Sequence, residues 1–379
     1  MRCGSMKMGP MGRAKTNKAQ GVELYLASTP LQVLNAVEAR YALGDASARA
    51  VLILFQRRWE HYAAAEALPE PLFAAFDEVL PLRLELPAPD GKPWRAVTAL
   101  LRNRRAVLRI LARFSDFLID RVVVTNQWNR DMRYMAAKAG AETVFADDGT
   151  STASYLKACA EWGAGADWWL GVASRGRLVN LAAALLYRLM YGRFMLRSRP
   201  DLMFTRYSAL AEEAGFPVVA NEYRWVRSMF GVARKGADSS GHFLGAPFVE
   251  RGEVSSKQYL RWLCEAMALH PELNWTYIPH PAESDSWLEQ VSRDTGVECK
   301  RMNGPYELSL FEEACLPAVI ASWFSSALEN LQMLEIDSDL WAYRIPDGAL
   351  SSSTLRLAAQ GFYERNTGSE SRIVVKALT

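Results

Sequence analysis

The sequence predicts an α/β protein of two domains, each carried by a mostly parallel sheet. Three observations predict it. Short apolar runs alternate with stretches of helical period, which implies right-handed βαβ units. That alternation occurs twice, on either side of a basic stretch ending near residue 200. At 379 residues, half of them hydrophobic, the chain exceeds one ordinary core and suits two.

Residues 1–20 (MRCGSMKMGPMGRAKTNKAQ) are basic and lack an apolar h-region, so they are expected to be a flexible leader and not a secretion signal. Val22 to Ser28 (VELYLAS) reads as a strand, with a turn signal at Ser28-Thr29-Pro30 before the helical LQVLNAVEARYAL. Ala50 to Phe55 (AVLILF) reads as a fully buried strand, as does Arg121 to Thr125 (RVVVT). The helix MRYMAAKAG then leads to a fourth strand, ETVFA, ending at Ala146. Trp94 to Phe114 and Arg177 to Arg199 read as amphipathic helices carrying many arginines. They suit packing on a sheet with the arginines in solvent, or contact with an anionic membrane surface.

Beyond Pro200 a second strand series is expected: Asp201 to Thr205, His242 to Leu244, Trp275 to Ile278, Ala318 to Ser322 and Leu340 to Tyr343. Helical segments such as SKQYLRWLCEAMALH and YELSLFEEACL separate several of them. The expected organisation is a leader over 1–20, one domain over 21–199 and a second over 200–379.

Composition removes several function classes. Lys and Arg number 44 against 42 Asp and Glu, a formal charge of +2, which speaks against a protein whose task is neutralising nucleic-acid phosphates. The five cysteines (Cys3, Cys159, Cys264, Cys299, Cys315) form no CxxC pair and read as thiols in a reducing compartment. The four histidines show no zinc-ligand spacing. No run of 18 apolar residues is present, so the cytoplasm is the expected location. There is no G-x-x-x-x-G-K-[ST], no G-x-G-x-x-G after the first strand and no G-x-S-x-G elbow.

Three clusters fall at expected strand ends, where open α/β sheets collect ligands. Asp147-Asp148-Gly149, followed by Thr150-Ser151-Thr152, can aim a carboxylate into a cleft as a general base; a solvated Asp-Gly turn is the plainer alternative. Pro279-His280-Pro281 restricts the backbone around a histidine whose protonated imidazole would stabilise a departing phosphate. Ser325-Ser326 opens the helix SALENLQML, where N-capping and phosphate binding are compatible. Asp337-Ser338-Asp339 spells D-x-D, a metal motif in other settings, and is read as a polar loop.

In this order, the three clusters resemble the D/E-D/E-G, HP and paired Ser/Thr motifs of the bacterial sialyltransferase and polysialyltransferase families. The opening LYLASTPLQ (Leu24 to Gln32) and FLGAPFVE (Phe243 to Glu250) are similar to the lipo-oligosaccharide sialyltransferase branch. The resemblance runs from about Glu23 to about Leu334 on short motifs. It implies a GT-B fold, two Rossmann-like domains facing a central cleft, with the acceptor side on the first and the CMP-sugar on the second. It implies an inverting transfer of sialic acid from CMP-sialic acid to a glycan, with no metal and no other cofactor. Asp147 or Asp148 would be the base, with Glu250 in reserve. His280, beside Pro281, would support the phosphate, and Ser325 and Ser326 would bond its oxygens. Glu307 would hold the donor ribose, and Thr29 and Gly149 would line the substrate site. The acceptor would be a lipid-linked surface glycan, which makes peripheral contact with an anionic inner membrane an expectation. Two rivals stay open: a transferase for another CMP-activated acid sugar, such as Kdo or a legionaminic-type sugar, and a non-catalytic glycan-binding or assembly subunit.

Overall fold

The computed structural model describes residues 21–57, 70–85, 93–162, 199–230, 239–302, 304, 306–312, 315–368 and 371–378. The expected leader 1–20 and nearly all of the second arginine-rich stretch lie outside them.

The first sheet has seven parallel strands: β1 (Gly21–Ala27), β2 (Arg49–Arg57), β3 (Glu78–Leu84), β4 (Leu118–Val124), β5 (Glu142–Ala146), β6 (Leu202–Thr205) and β7 (Val218–Ala220). Their spatial order is β3-β2-β1-β4-β5-β6-β7. The second sheet has six: β8 (Ser240–Leu244), β9 (Asn274–Ile278), β10 (Glu298–Cys299), β11 (Val319–Ser322), β12 (Asp339–Arg344) and β13 (Ile373–Ala377). They too are parallel, in the order β10-β9-β8-β11-β12-β13. Each sheet therefore starts in its middle, winds outward and then reverses, the doubly wound order 3-2-1-4-5-6 with one extra strand on the first. The reversal leaves a crevice at the carboxyl ends of β1 and β4 in one sheet, and of β8 and β11 in the other.

Two expectations need correction. The strand after Pro200 was expected to open the second series, but β6 pairs with β5 through Val144 and Leu202, and β7 extends the same sheet. The break between the sheets falls between Ala220 and Ser240, not near residue 200. A four-residue apolar strand says that it is buried and not which neighbour buries it, since every strand of a two-sided parallel sheet reads alike. The strand β3 has no counterpart in the expected series, because Pro81 and Arg83 interrupt its sequence. Those two point outward while Leu80, Leu82 and Leu84 are buried, and β3 is an edge strand where proline is tolerated.

The helices among the described residues are α1 (Pro30–Leu43), α2 (Glu70–Phe73), α3 (Pro93–Ala112), α4 (Arg130–Ala139), α5 (Thr150–Trp162), α6 (Ser208–Glu213), α7 (Arg224–Phe230), α8 (Ser256–Ala268), α9 (Asp285–Thr295), α10 (Tyr306–Glu312), α11 (Ser326–Met333) and α12 (Ser353–Arg365). In α3, Ala99, Asn103 and Val107 are buried while Arg102, Arg105, Arg109 and Leu108 are exposed, as an amphipathic surface helix requires. No helix among the described residues is long and apolar enough to cross a membrane.

Two segments tie the domains together. Glu38 of α1 accepts hydrogen bonds from the backbone N of Trp225 (3.2 Å) and Val226 (2.8 Å), capping α7 after the chain leaves the first sheet. Near the C-terminus, α12 returns to pack on α5 of the first domain. One hydrophobic cluster accordingly runs from Tyr25 and Val37 through Tyr223 and Val226 to Phe243 and Trp323, so the domains share a core at their base.

Candidate active site

The Asp147-Asp148-Gly149 turn leaves the carboxyl end of β5, and the structure separates the two acids. Asp147 is buried and its carboxylate is spoken for: Oδ1 accepts from Thr205 Oγ1 at 2.6 Å and Oδ2 from the backbone N of Arg206 at 2.9 Å. Its backbone oxygen accepts from Asn35 Nδ2 at 3.1 Å. Burial raises its pKa, and Arg206 and Thr205 pull the other way. It joins β5 to β6 and so acts as a structural tie.

Asp148 is only half-buried. Its Oδ1 accepts from Gln32 Nε2 at 2.6 Å and its Oδ2 from Ser151 Oγ at 3.0 Å. Its backbone N donates to Thr152 Oγ1 at 2.7 Å, which fixes the turn into α5. Removal from water pushes its pKa up to about 7 against the pull of Gln32 and Ser151, with the charge of Asp147 adding to the rise. A carboxyl poised there can accept a proton near neutral pH. Gln32 owes its orientation to Ser28, whose N and Oγ both donate to Gln32 Oε1 at 2.8 Å; the amide is therefore left with only donors to offer Asp148. Thr29, expected in the substrate site, caps α1 by accepting from Gln32 N at 3.3 Å.

Gly149 lies at φ +63°, a left-handed conformation that a side chain would strain. Space is tight as well: a Cβ here would lie 3.1 Å from Ser326 Oγ, on the other domain, and the serine would have to give way. The DDG turn and the serine pair, 177 positions apart by their numbers 149 and 326, thus lie against each other where the two domains meet. Ser325 is the N-cap of α11, its Oγ accepting from Ala327 N at 3.2 Å, while both serines stay half-buried.

Arg206, which follows β6, clamps this contact. Its Nη1 donates to the Ser326 backbone oxygen at 3.2 Å, and its Nη2 pairs with Glu329 Oε2 at 3.0 Å. Glu329 also receives Tyr207 OH at 2.6 Å and Arg365 Nη2 at 2.9 Å, so two arginines neutralise the acid in the first turn of α11. Opposing arginines hold the Glu329 pKa below its usual value although burial works against them. The positive end of the α11 dipole therefore keeps its attraction for an anion.

On the second sheet, His280 follows β9, two strands from β11 and so about 10 Å from its line. Its Nδ1 accepts from Ala282 N at 3.1 Å, which leaves the proton on Nε2. The residue keeps an exposed face, yet the protein crowding the ring, and then the charge of Arg251, push its pKa down to about 4. This corrects the expectation of a protonated imidazole: burial and the charge of Arg251 favour the neutral ring, and the Ala282 amide at Nδ1 places its N–H on Nε2. Pro281 is exposed beside it.

Glu250 sits in the loop after β8, exposed, its Oε1 accepting from Ser284 N at 3.0 Å. Glu307 is buried at the start of α10 and accepts from Asn330 Nδ2 at 2.5 Å. Asn330 in turn accepts from Tyr223 OH at 3.1 Å, and Tyr223 N donates to Asn221, which bonds Asn35. A buried polar chain thereby connects Glu307 with the Asp147 turn. Asp337 and Asp339 lie at the amino end of β12, the edge of the sheet opposite the carboxyl ends that carry the other clusters. Among the described residues no group of three or more His, Cys, Asp or Glu side chains is arranged to hold a metal.

Sequence reasoning passed over Gln32, Arg206, Glu329 and Glu283. Gln32 lay inside the quoted opening stretch, but an arginine after a strand and an acid in a helix carry no sequence signal of their pairing.

No protein-family model matches the chain, and no curated protein sequence matches it. Solved structures do resemble it. The α/β-galactoside α-2,3-sialyltransferase of the luminous marine bacterium Photobacterium phosphoreum is 12% identical, with a TM-score of 0.50, covering 94% of this chain and 99% of that one. The UDP-GlcNAc 2-epimerase of Neisseria meningitidis, bound to UDP-GlcNAc, is 11% identical, with a TM-score of 0.49, over 90% of this chain and 85% of that one. Together with the two parallel sheets, the first likeness defines the class: the chain has a GT-B type α/β fold.

Proposed function

We propose that this protein is an inverting glycosyltransferase that moves sialic acid from CMP-sialic acid to a glycan hydroxyl. The observation that carries the reading is the contact of the Asp148-Gly149 turn with Ser326, which sets a base poised near neutrality beside a helix N-terminus suited to phosphate. The motif resemblance supplies the donor class.

In this reading Asp148 takes the acceptor hydroxyl's proton as its oxygen bonds to the anomeric carbon from the face opposite the phosphate. The carbon–oxygen bond to phosphate breaks, and CMP departs with that electron pair. His280 Nε2–H, the hydroxyls of Ser325 and Ser326 and the free N–H groups of α11 meet the charge that builds on it. A monophosphate leaving group makes that set sufficient without a metal. Glu307 and the polar chain behind it would border the donor ribose. Glu250 stays in reserve as the base, and Thr29 and Gly149 would line the substrate site.

The acceptor proposed is a lipid-linked surface glycan, with the exposed arginines of α3 turned to an anionic membrane. The test is to incubate the protein with CMP-sialic acid, CMP-Kdo and a CMP-legionaminic-type sugar, and to measure CMP release with and without acceptor glycans. Acceptor-dependent release from CMP-sialic acid alone supports the proposal. Release from another CMP-sugar moves the assignment to that donor, and no release from any of them turns it to a non-catalytic glycan-binding subunit.

A further inference from the structure

Behind His280 lies a buried acid to which the reading above gives no role. Glu283 is 1% exposed, and three donors converge on its carboxylate. Oε1 accepts from Tyr277 OH at 2.7 Å and from Trp287 Nε1 at 3.0 Å; Oε2 accepts from the backbone N of His280 at 2.6 Å. Tyr277 OH lies 2.9 Å from Tyr259 OH, and that oxygen accepts from Ala246 N at 3.1 Å and from Trp323 Nε1 at 3.0 Å. The proton directions follow from this arrangement. Tyr259 accepts twice, so its own proton goes to Tyr277, whose proton goes to Glu283. Every donor in the chain points toward one terminal acceptor.

The ends of the chain are the three loops that surround the donor position. Ala246 belongs to the loop after β8, His280 to the loop after β9, and Trp323 to the turn after β11 that delivers Ser325 and Ser326. We propose that Glu283 is the positioning residue that holds these three loops in register for the CMP phosphate, an inference that rests on the site reading given above. Gly245 is shaped to the same purpose: a Cβ there would lie 2.3 Å from Tyr277 OH and 2.4 Å from Glu283 Oε2, so only glycine lets the β8 loop close over the network. Burial pushes the Glu283 carboxyl up to about 7 while Tyr277, His280 N and Trp287 oppose the rise. A carboxamide has nearly the same shape but presents an N–H₂ to donors, and so breaks the chain at its end.

The test uses the full-length protein with Glu283→Gln and CMP as probe. Calorimetry is expected to show CMP binding weakened about tenfold, the equivalent of one hydrogen bond's worth of lost loop order. The KM for CMP-sialic acid should rise in step while kcat at saturating donor changes little, and the His280 ring proton resonances should move. Unchanged CMP affinity and unmoved His280 resonances in the folded variant overturn the proposal. If Glu283→Gln does not fold, Tyr277→Phe removes one donor conservatively; a smaller change of the same kind supports the proposal, and no change overturns it. His280→Ala separates this inference from the reading beneath it. If that variant loses CMP affinity or rate and Glu283→Gln does not, the positioning role alone fails; if His280→Ala matches wild type in both, the donor-site reading fails with it.

Discussion

Arg206 and Glu329 pair at 3.0 Å across the two domains, with side chains only 3% and 9% exposed. Removing one partner of a buried pair strands the other charge, at a cost of about 3–5 kcal/mol. Glu329→Ala is therefore expected to lower unfolding stability by about that amount, measured by urea denaturation. The double variant Arg206→Met with Glu329→Met should recover much of it. A Glu329→Ala loss below about 1 kcal/mol would show the pair to be solvated.

Gly149→Ala tests the contact between the domains. The left-handed backbone alone costs about 1–2 kcal/mol for a non-glycine residue, and Ser326 must shift as well. The expected outcome is a folded protein with weakened CMP affinity. Wild-type affinity would mean that the two motifs meet without consequence for donor binding.

The two aspartates should respond differently. Asp148→Asn should lose about 10²–10⁴-fold in turnover with its fold intact, and Asp147→Asn should show its main effect in thermal stability. Because Asp148 must be ionised to accept a proton and its pKa stands at about 7, kcat/KM should fall below that pH by about tenfold per unit and level off above it. Gln32→Leu removes a donor that favours the ionised form, so the limb should move to higher pH. The stability effect has the opposite sign. Between the ordinary carboxyl pKa and about 7 the folded chain holds a proton that the unfolded chain has released, so the group's contribution falls as pH rises through that window. If Asp148→Asn keeps its rate, Glu250→Gln is the next variant to measure.

His280 should not contribute a limb to the pH–rate profile between 5 and 8, since its pKa lies at about 4. His280→Ala should still slow turnover at saturating donor, because the N–H acts as charge develops on the phosphate. A chelator should leave the rate unchanged. Loss of activity with EDTA, restored by magnesium or manganese, would return attention to Asp337 and Asp339.

The outer face of α3 exposes Arg102, Arg105 and Arg109 beside Leu108. Binding to anionic vesicles is expected at low salt and should fade at high salt as the Debye length shrinks. Flotation of the protein with anionic liposomes at both salt concentrations measures it; no binding at low salt would reduce α3 to a packing element.

Sequence pattern reached the central strands because they are apolar on both faces, and it located the three clusters because each follows such a strand. It did not reach β3 or β13, where edge position admits Pro81, Arg83 and Lys376. It misplaced β6, since burial is written in a strand and its neighbour is not. Within the site, Asp147 and Asp148 are equivalent as letters; only Thr205 and Arg206, some sixty residues on, make one a tie and leave the other half-open. The charge state of His280 was likewise out of reach, because it depends on how the fold crowds the ring and brings Arg251 near it.

The return of α12 to the first domain has a mechanical consequence. The domains meet at the chain passing through Tyr223 into α7, at the clamp of Arg206 on Ser326 and Glu329, and where Lys157 and Glu364 approach to 3.9 Å. A body held at several separated points keeps one orientation for as long as they hold. The alignment of the serine pair with the Asp148 turn is then set by the placement of those contacts, some of them far from the site.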